Sequence, residues 1–103
     1  MSLSIQTAGE PGSLKVLVAG EVDVSNADEL RAALDPALAE ATDALTVDLA
    51  EVPYIDSTGI GVLVGAAHRA ADAGKKLVVA NPQKNVARVL GLLGVAGDLN
   101  IQQ

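Results

Sequence analysis

The chain lacks cysteine, phenylalanine and tryptophan, and Tyr54 is its single tyrosine. Without cysteine it can form no disulfide framework, thiolate zinc site or cysteine nucleophile. Basic residues are also scarce, since 7 Lys and Arg stand against 13 Asp and Glu, for a formal net charge of -6. Nucleic-acid binding uses basic surfaces and stacking aromatic side chains, so we expect no nucleic-acid partner.

Long apolar segments are absent as well. The longest apolar run covers residues 60–67, contains glycine and ends at His68 and Arg69. A membrane-spanning helix needs about 20 apolar residues, so we expect no membrane segment. The first residues lack the basic and apolar regions of a signal peptide. Together with the length, these features predict one soluble, cytoplasmic domain over residues 1–103.

Half of the residues are hydrophobic, and nearly all of these are Ala, Leu, Val and Ile. Apolar alternation predicts strands in residues 3–5, 14–22, 45–49 and 77–80, with a last short strand at 99–101, and the first two form a hairpin. Helical spacing predicts three helices between and after the later strands. This alternation predicts an α/β layer fold with a mixed sheet of four to five strands covered by helices.

The helix signals make specific predictions about boundaries and buried faces. Ser25 and Asp28 have the spacing of a capping box, so the first helix should begin at Ser25, and Pro36 should kink or split it. The second helix should run from about Ser57 to Ala73 and stop at Gly74, and the third should end at Gly94. The predicted buried stripes are Ala27, Leu30, Leu34, Leu38 and Ala41 in the first helix, Ile60, Leu63, Val64, Ala67 and Ala71 in the second, and Val86, Val89, Leu90 and Leu93 in the third.

The most informative segment is Asp56-Ser57-Thr58-Gly59-Ile60-Gly61, at a predicted strand-to-helix junction. The first N–H groups of a helix have no internal partners and favour an anion. A phosphate on Ser57 would therefore leave the helix folded but add negative charge beside Asp56, and would repel or displace a docked partner. The alternative is that Asp56 or Ser57 is an ordinary helix cap.

One face of the second helix carries small and polar residues. At about 100° per residue, Ser57, Gly61, Gly65, His68 and Asp72 fall on or near this face. Exposed helix glycines cost about 1 kcal/mol relative to alanine, so a close approach would explain them. The glycines serve either a docking partner or close packing against the protein's own sheet and loops.

Enzyme chemistry finds little support. His68 lies about 16 Å along the helix from Ser57, too far to act as its general base. The glycine spacing misses the dinucleotide motif, and the Gly-Lys-Ser/Thr of a triphosphate loop is lacking. Asp23 and Asp56 could meet at one sheet edge, but two carboxylates alone make a weak metal site. We therefore expect no enzyme, no metal and no cofactor.

The segment from Val47 to Gly61, preceded by Gly20-Glu21-Val22-Asp23, resembles the STAS domain family and within it the bacterial anti-sigma factor antagonists. The resemblance covers nearly the whole chain. It implies a protein that binds an anti-sigma factor, itself a serine kinase, and so frees a sigma factor. It also implies that the kinase phosphorylates Ser57 and thereby ends binding, that a PP2C-type phosphatase restores the protein, and that ATP is the kinase's substrate.

The resemblance further implies that Asp23, Asp56, Thr58 and Gly59 belong to the partner-binding surface with Ser57, and the face described above adds Gly61. Two other functions stay open. One is a STAS scaffold subunit of a transport or signalling complex that uses the same helix face without phosphorylation. The other is a small nucleotide-binding protein, although its motifs are lacking.

Overall fold

The computed structural model describes residues 3–102, in which four strands and three α-helices follow one another in the predicted order. The strands are β1 (Ser4–Ala8), β2 (Leu14–Ala19), β3 (Ala44–Glu51) and β4 (Lys76–Ala80). The helices are α1 (Ala27–Glu40), α2 (Ser57–Asp72) and α3 (Lys84–Leu92). A short 3-10 turn at Pro11–Ser13 connects β1 to β2.

The sheet is mixed and has the order β1-β2-β3-β4. β1 and β2 form the predicted antiparallel hairpin, while β2, β3 and β4 run parallel. The predicted last strand is reduced to a short pairing at the edge of β4, where the Val79 N–H donates to the Leu99 carbonyl at 2.9 Å and the Gln102 N–H donates to the Val79 carbonyl at 2.8 Å. The predicted α/β class and mixed sheet are confirmed.

The core lies on one face of this sheet. In β2 and β3, buried residues alternate with more exposed ones, as expected for strands covered on one side. The register brings Val16, Val47 and Val79 into one row across three strands, and α1 and α2 pack over it. The largest fully buried side chains are all aliphatic: Leu30, Leu34, Leu45, Leu49, Leu63, Leu77, Leu90, Leu99, Val16, Val22, Val47 and Val52.

The start of α1 differs from the prediction. The helix begins at Ala27 after Asn26, and the Ser25 hydroxyl donates to the Asp23 carboxylate instead of capping the helix. The predicted capping box is therefore wrong, because Asn26 occupies the N-cap position and Ser25 lies one position before it. α1 also continues through Pro36 without a split, since this residue lies on the exposed side, where water can satisfy the carbonyl that loses its donor.

The buried faces of α2 and α3 are shifted from the predicted stripes. Ile60, Leu63 and Ala67 are buried as predicted, but Val64 is half-buried and Ala71 is exposed. The full buried set of α2 is Gly59, Ile60, Val62, Leu63, Ala66, Ala67 and Ala70. In α3, Val86 and Leu90 are buried, whereas Val89 and the C-cap residue Leu93 are exposed, so the prediction for these two is wrong. The helix ends are confirmed, since Gly74 and Gly94 have φ of 74° and 72°, which glycine adopts without strain.

Candidate functional site

The junction between β3 and α2 is organised by Asp56. Its side chain accepts a hydrogen bond from the Gly59 N–H at 3.0 Å, and its carbonyl accepts from the Ile60 N–H at 2.9 Å. Asp56 is therefore the helix cap, and the capping alternative is correct for this residue. Because the Gly59 N–H is occupied, the N–H groups of Ser57 and Thr58 remain as donors of the first turn without intrahelical partners.

Ser57 is the first residue of α2 and does not cap it. Its side chain is exposed, and among residues 3–102 its hydroxyl has no hydrogen-bond partner. Thr58, the next residue, is also exposed. The fold therefore presents two adjacent hydroxyls at the positive end of a 16-residue helix, a position that suits a negatively charged group.

A second chain segment reaches this junction through a parallel bridge between Val22 and Ile55. The Val22 N–H donates to the Tyr54 carbonyl at 2.9 Å, and the Asp56 N–H donates to the Val22 carbonyl at 3.0 Å. Asp23 and Asp56 are thus the residues that directly follow the two bridged positions. The structure brings them together at the sheet edge as the sequence predicts.

Asp23 is held in a tight turn with Ser25 and Asn26. Its carboxylate accepts from the Ser25 hydroxyl and from the Ser25 N–H, the latter at 2.9 Å. Asn26, which is only 2% exposed, accepts from the Asp23 N–H at 2.9 Å and donates to the Glu21 carbonyl at 2.8 Å. These bonds fix the orientation of Asp23 beside the junction.

The hydrogen bond from the Ser25 hydroxyl lowers the pKa of Asp23 below its ordinary value, and the Ser25 N–H adds to the effect. Asp23 is therefore an anion at neutral pH. The roles of Ser25 and Asn26 were missed by the sequence analysis. The signal that could have found them is the Asp-x-Ser-Asn composition, which is typical of side-chain-bonded turns.

The two motif glycines have different environments. A Cβ on Gly59 would lie 2.6 Å from Val22 Cγ1 and 2.8 Å from Ile55 Cγ1, so Gly59 is a packing residue under the Val22–Ile55 bridge. Gly59 is buried, and its assignment to the partner-binding surface stays a prediction. Gly61 is exposed, and no atom lies within 4 Å of a Cβ built on it.

The exposed side of α2 is open. Ser57, Gly61 and His68 are exposed, as is Asp72, while Gly65 is half-buried with its nearest contact to the Arg69 guanidinium at 3.4 Å. Packing of these glycines against the protein's own sheet or loops is therefore wrong. The glycines leave a smooth, accessible strip beside Ser57.

The carboxylates of Asp23 and Asp56 at this junction take part in no ion pair of the described residues. Among residues 3–102, the ion pairs are Arg31 with Asp28 at 3.1 Å and Arg69 with Asp35 at 2.7 Å. Neither pair involves Asp23 or Asp56. A phosphate added at Ser57 would therefore join two carboxylates that form no ion pair among these residues.

The geometry offers little for other chemistry. Over residues 3–102, there is no group of three or more His, Cys, Asp and Glu side chains that could hold a metal ion. His68 is exposed eleven positions along α2 from Ser57. In the same residues, each helix is too short or too polar to cross a membrane.

Comparison with known proteins identifies the family. A sequence profile described as "Mlab, STAS domain" matches residues 5–102. The chain is 31% identical over 103 residues to an anti-sigma-B factor antagonist of Staphylococcus epidermidis, covering 100% of this chain and 95% of that protein. An anti-sigma-B factor antagonist of Staphylococcus aureus is 29% identical with the same coverage.

Solved structures agree on the fold. A crystal structure of an anti-sigma factor antagonist from Mycobacterium paratuberculosis matches with a TM-score of 0.86 at 22% identity, covering 96% of this chain and 84% of that chain. The unphosphorylated anti-sigma factor antagonist SpoIIAA matches with a TM-score of 0.79 at 18% identity, covering 97% and 89%. The chain belongs to the STAS domain family, as the sequence resemblance predicted.

Proposed function

We propose that this chain is an anti-sigma factor antagonist controlled by phosphorylation of Ser57. The unmodified protein binds an anti-sigma factor that is also a serine kinase, and this binding releases the sigma factor. The kinase transfers phosphate from ATP to Ser57, and a PP2C-type phosphatase removes it. ATP is then the kinase's substrate, so the chain itself carries no catalytic residue and no cofactor, and it acts in the cytoplasm with the transcription machinery.

The observation that carries the proposal is the state of Ser57. Ser57 is exposed at the first position of α2 and its hydroxyl has no hydrogen-bond partner in the described part of the chain, while the adjacent Asp56 performs the capping. Phosphorylation of Ser57 leaves the Asp56 cap in place and displaces no hydrogen bond made among residues 3–102, so the modification leaves the local fold intact.

The physical basis of the switch is charge and volume at the contact. Phosphorylation adds about -1.5 to -2 charge at neutral pH, at the junction that also holds the carboxylates of Asp23 and Asp56. The helix N-terminus stabilises this charge within the chain. A kinase active site holds the anionic phosphates of its nucleotide against the reacting hydroxyl, so a phosphate on Ser57 meets like charge and excess volume there. Binding is lost although the protein remains folded.

The experiment that tests the proposal is intact-mass analysis after incubation with ATP and the serine kinases of the same genome. Wild type and Thr58→Ala should each gain one phosphate, and Ser57→Ala should gain none. Thr58 is the matched control because it is the neighbouring exposed hydroxyl on the same helix turn. If Ser57→Ala also gained a phosphate, the phosphorylated residue would not be Ser57.

A binding measurement completes the test. Ser57→Asp should keep the circular dichroism spectrum of wild type, because an acidic residue in the first helical turn is favourable. It should nevertheless lose affinity for the kinase that phosphorylates wild type. Equal affinity of Ser57→Asp and wild type would contradict the switch.

A second candidate function is supported by the description of the matching family profile, "Mlab, STAS domain", which does not specify a sigma-factor pathway. In this case the chain is a STAS scaffold subunit of a transport or signalling complex, and the exposed side of α2 binds its partner without phosphorylation. Absence of phosphate with kinases shown to be active on other substrates would favour this function.

A further inference from the structure

The two edges of the sheet differ in what lies beside them. The β4 edge is covered, because Leu99 and Gln102 exchange backbone hydrogen bonds with Val79. The β1 edge, which is the outer side of residues 4–8, has no strand beside it in the described part of the chain. Among residues 3–102, no backbone hydrogen bond outside the β1–β2 ladder reaches residues 4–8. Such an edge presents a row of backbone N–H and C=O groups that another strand can pair with.

The sequence of β1 contains none of the features that commonly protect a sheet edge. Those features are charged side chains, proline, a bulge or a very short strand. The strand Ser-Ile-Gln-Thr-Ala has no charge and no proline, and its five residues pair with β2 in an unbroken register. Five residues is also an ordinary strand length. The β1 edge is therefore available for strand addition.

The side chains of β1 leave room for a neighbouring strand. Ile5 and Thr7 lie opposite Val18 and Val16 in the register, so they point to the side of the sheet that the helices cover. Ile5 is nevertheless half-buried and Thr7 is exposed. A second strand beside β1 would cover both of these β-branched side chains, which form favourable pairs across a sheet. Gln6 is exposed on the opposite face of the same strand.

The two ends of the β1 edge carry opposite charges. Lys15 lies directly opposite Ala8 at one end, and the Glu29 carboxylate accepts from the Leu3 N–H at 3.3 Å at the other end. Neither Lys15 nor Glu29 belongs to an ion pair among residues 3–102. Antiparallel pairing of two copies brings the basic end of each beside the acidic end of the other, whereas parallel pairing brings like charges together. The β1 edge is therefore complementary to itself.

We propose that the chain forms a homodimer in which two copies pair their β1 edges antiparallel, with a two-fold axis between the two Gln6 residues. This register places Ile5 beside Thr7 of the second copy and joins the two four-stranded sheets into one continuous sheet. A contact of five residues buries less than the roughly 800 Å² per partner of a stable interface, so the dimer is weak and depends on concentration. Pairing uses both β1 edges and the β4 edges are covered, so assembly stops at the dimer.

Sedimentation equilibrium over a range of protein concentrations tests the dimer. The mass of wild type should rise with concentration from that of one chain towards that of two. Gln6→Lys places two like charges directly opposite each other, so the dimer Kd should rise by about fivefold or more. Gln102→Lys is the matched control, because Gln102 is an exposed glutamine at the covered edge of the sheet, and its dimer Kd should equal that of wild type. Circular dichroism checks that both variants are folded.

Oxidative cross-linking tests the register, and single-cysteine variants are unambiguous because the chain contains no cysteine. The two Gln6 residues lie directly opposite each other in the dimer, at a Cα separation of about 4.5–5.5 Å that a disulfide can span. Gln6→Cys should therefore give a covalent dimer on mild oxidation. Ser4→Cys should remain monomeric under the same conditions, because Ser4 lies opposite Ala8 of the second copy in this register.

Four results would overturn the inference. They are a wild type with the mass of one chain at every concentration, a dimer that Gln6→Lys leaves unchanged, species larger than a dimer, and equal cross-linking of Gln6→Cys and Ser4→Cys. The Ser57 junction contains no residue of β1, and none of these measurements involves an anti-sigma factor. The function proposed above is therefore tested separately from the dimer.

Discussion

The first turns of α2 carry a glycine on each side, and the two glycines have opposite environments. On the inner side, Gly59 is buried where a Cβ would overlap with Val22 and Ile55. On the outer side, Gly61 is exposed and surrounded by open space. Both glycines lie in one motif, two residues apart, and both forgo about 1 kcal/mol of helix propensity relative to alanine.

The two glycines of the motif therefore meet two different requirements, internal packing at Gly59 and an open outer surface at Gly61. Gly59 permits the Val22–Ile55 bridge to lie against α2, and that bridge brings Asp23 to the junction. Gly61 makes no contact in the described chain that requires a glycine. A close approach of the proposed partner to the outer side would explain its presence.

The largest expected effect is that of Gly59→Ala. The added methyl would lie 2.6 Å from Val22 Cγ1, and both Val22 and Ile55 are buried, branched side chains with little freedom to move. Overpacking of this kind costs about 1–3 kcal/mol, which exceeds the gain in helix propensity. Urea unfolding should therefore show a lower free energy of unfolding than wild type. A variant with the same free energy of unfolding as wild type would mean that the Val22 and Ile55 side chains leave room for a methyl group at position 59.

Gly61→Ala is the matched control and should have the opposite sign. Its methyl enters open space, so the free energy of unfolding should rise by roughly 1 kcal/mol through helix propensity. Because both variants gain the same propensity, their difference isolates the packing at Gly59.

The same variant also tests the outer side. If a partner approaches Gly61 closely, Gly61→Ala should weaken binding by roughly tenfold, or about 1.4 kcal/mol, while the protein itself is more stable. Calorimetry with the cognate anti-sigma factor measures this. Unchanged affinity would exclude Gly61 from the contact surface.

The smallest effect concerns the acidic part of the outer surface. The Ser25 hydroxyl is the main cause of the lowered pKa of Asp23, so Ser25→Ala should raise that pKa towards its ordinary value. A carboxyl whose pKa is lower in the folded protein stabilises it above the unfolded-state pKa, and this contribution is lost as pH falls through the folded-state pKa. In the variant this contribution should be smaller, and its loss should be complete at a higher pH. An NMR titration of the Asp23 carboxyl carbon measures the shift, with Ser13→Ala as control, and an unshifted titration would rule out the hydroxyl as the cause.

The sequence predicted most of the fold but misplaced several buried faces. Element order, the first hairpin, the span of α2 and its glycine stop were predicted, because they depend on alternation and on turn residues close together in the chain. Four residues were assigned to buried helix faces but lie outside them in the structure: Val64, Ala71, Val89 and Leu93. A run of aliphatic residues fits several helix orientations equally well, and only packing against neighbouring elements selects one.

The candidate site divides in a similar way. Ser57 and Asp56 were found from the sequence because a polar pair before a helical stripe marks a helix start. Which of the two caps the helix was left open, because either side chain could accept from the first N–H groups of the helix. The role of Gly59 was left open because its burial depends on Val22, which lies far away in the sequence. The turn of Asp23, Ser25 and Asn26 was missed because a capping box and a side-chain-bonded turn share the same residue types.

By itself the sequence determined the α/β class, the order of elements and the position of the exposed serine, since local spacing and composition carry this information. Tertiary structure alone decided which glycine is buried, which leucines of α3 remain in solvent and how Asp23 reaches Asp56. These features arise where segments distant in the chain meet, and close packing there allows or forbids single atoms. The local sequence pattern therefore does not predict those contacts.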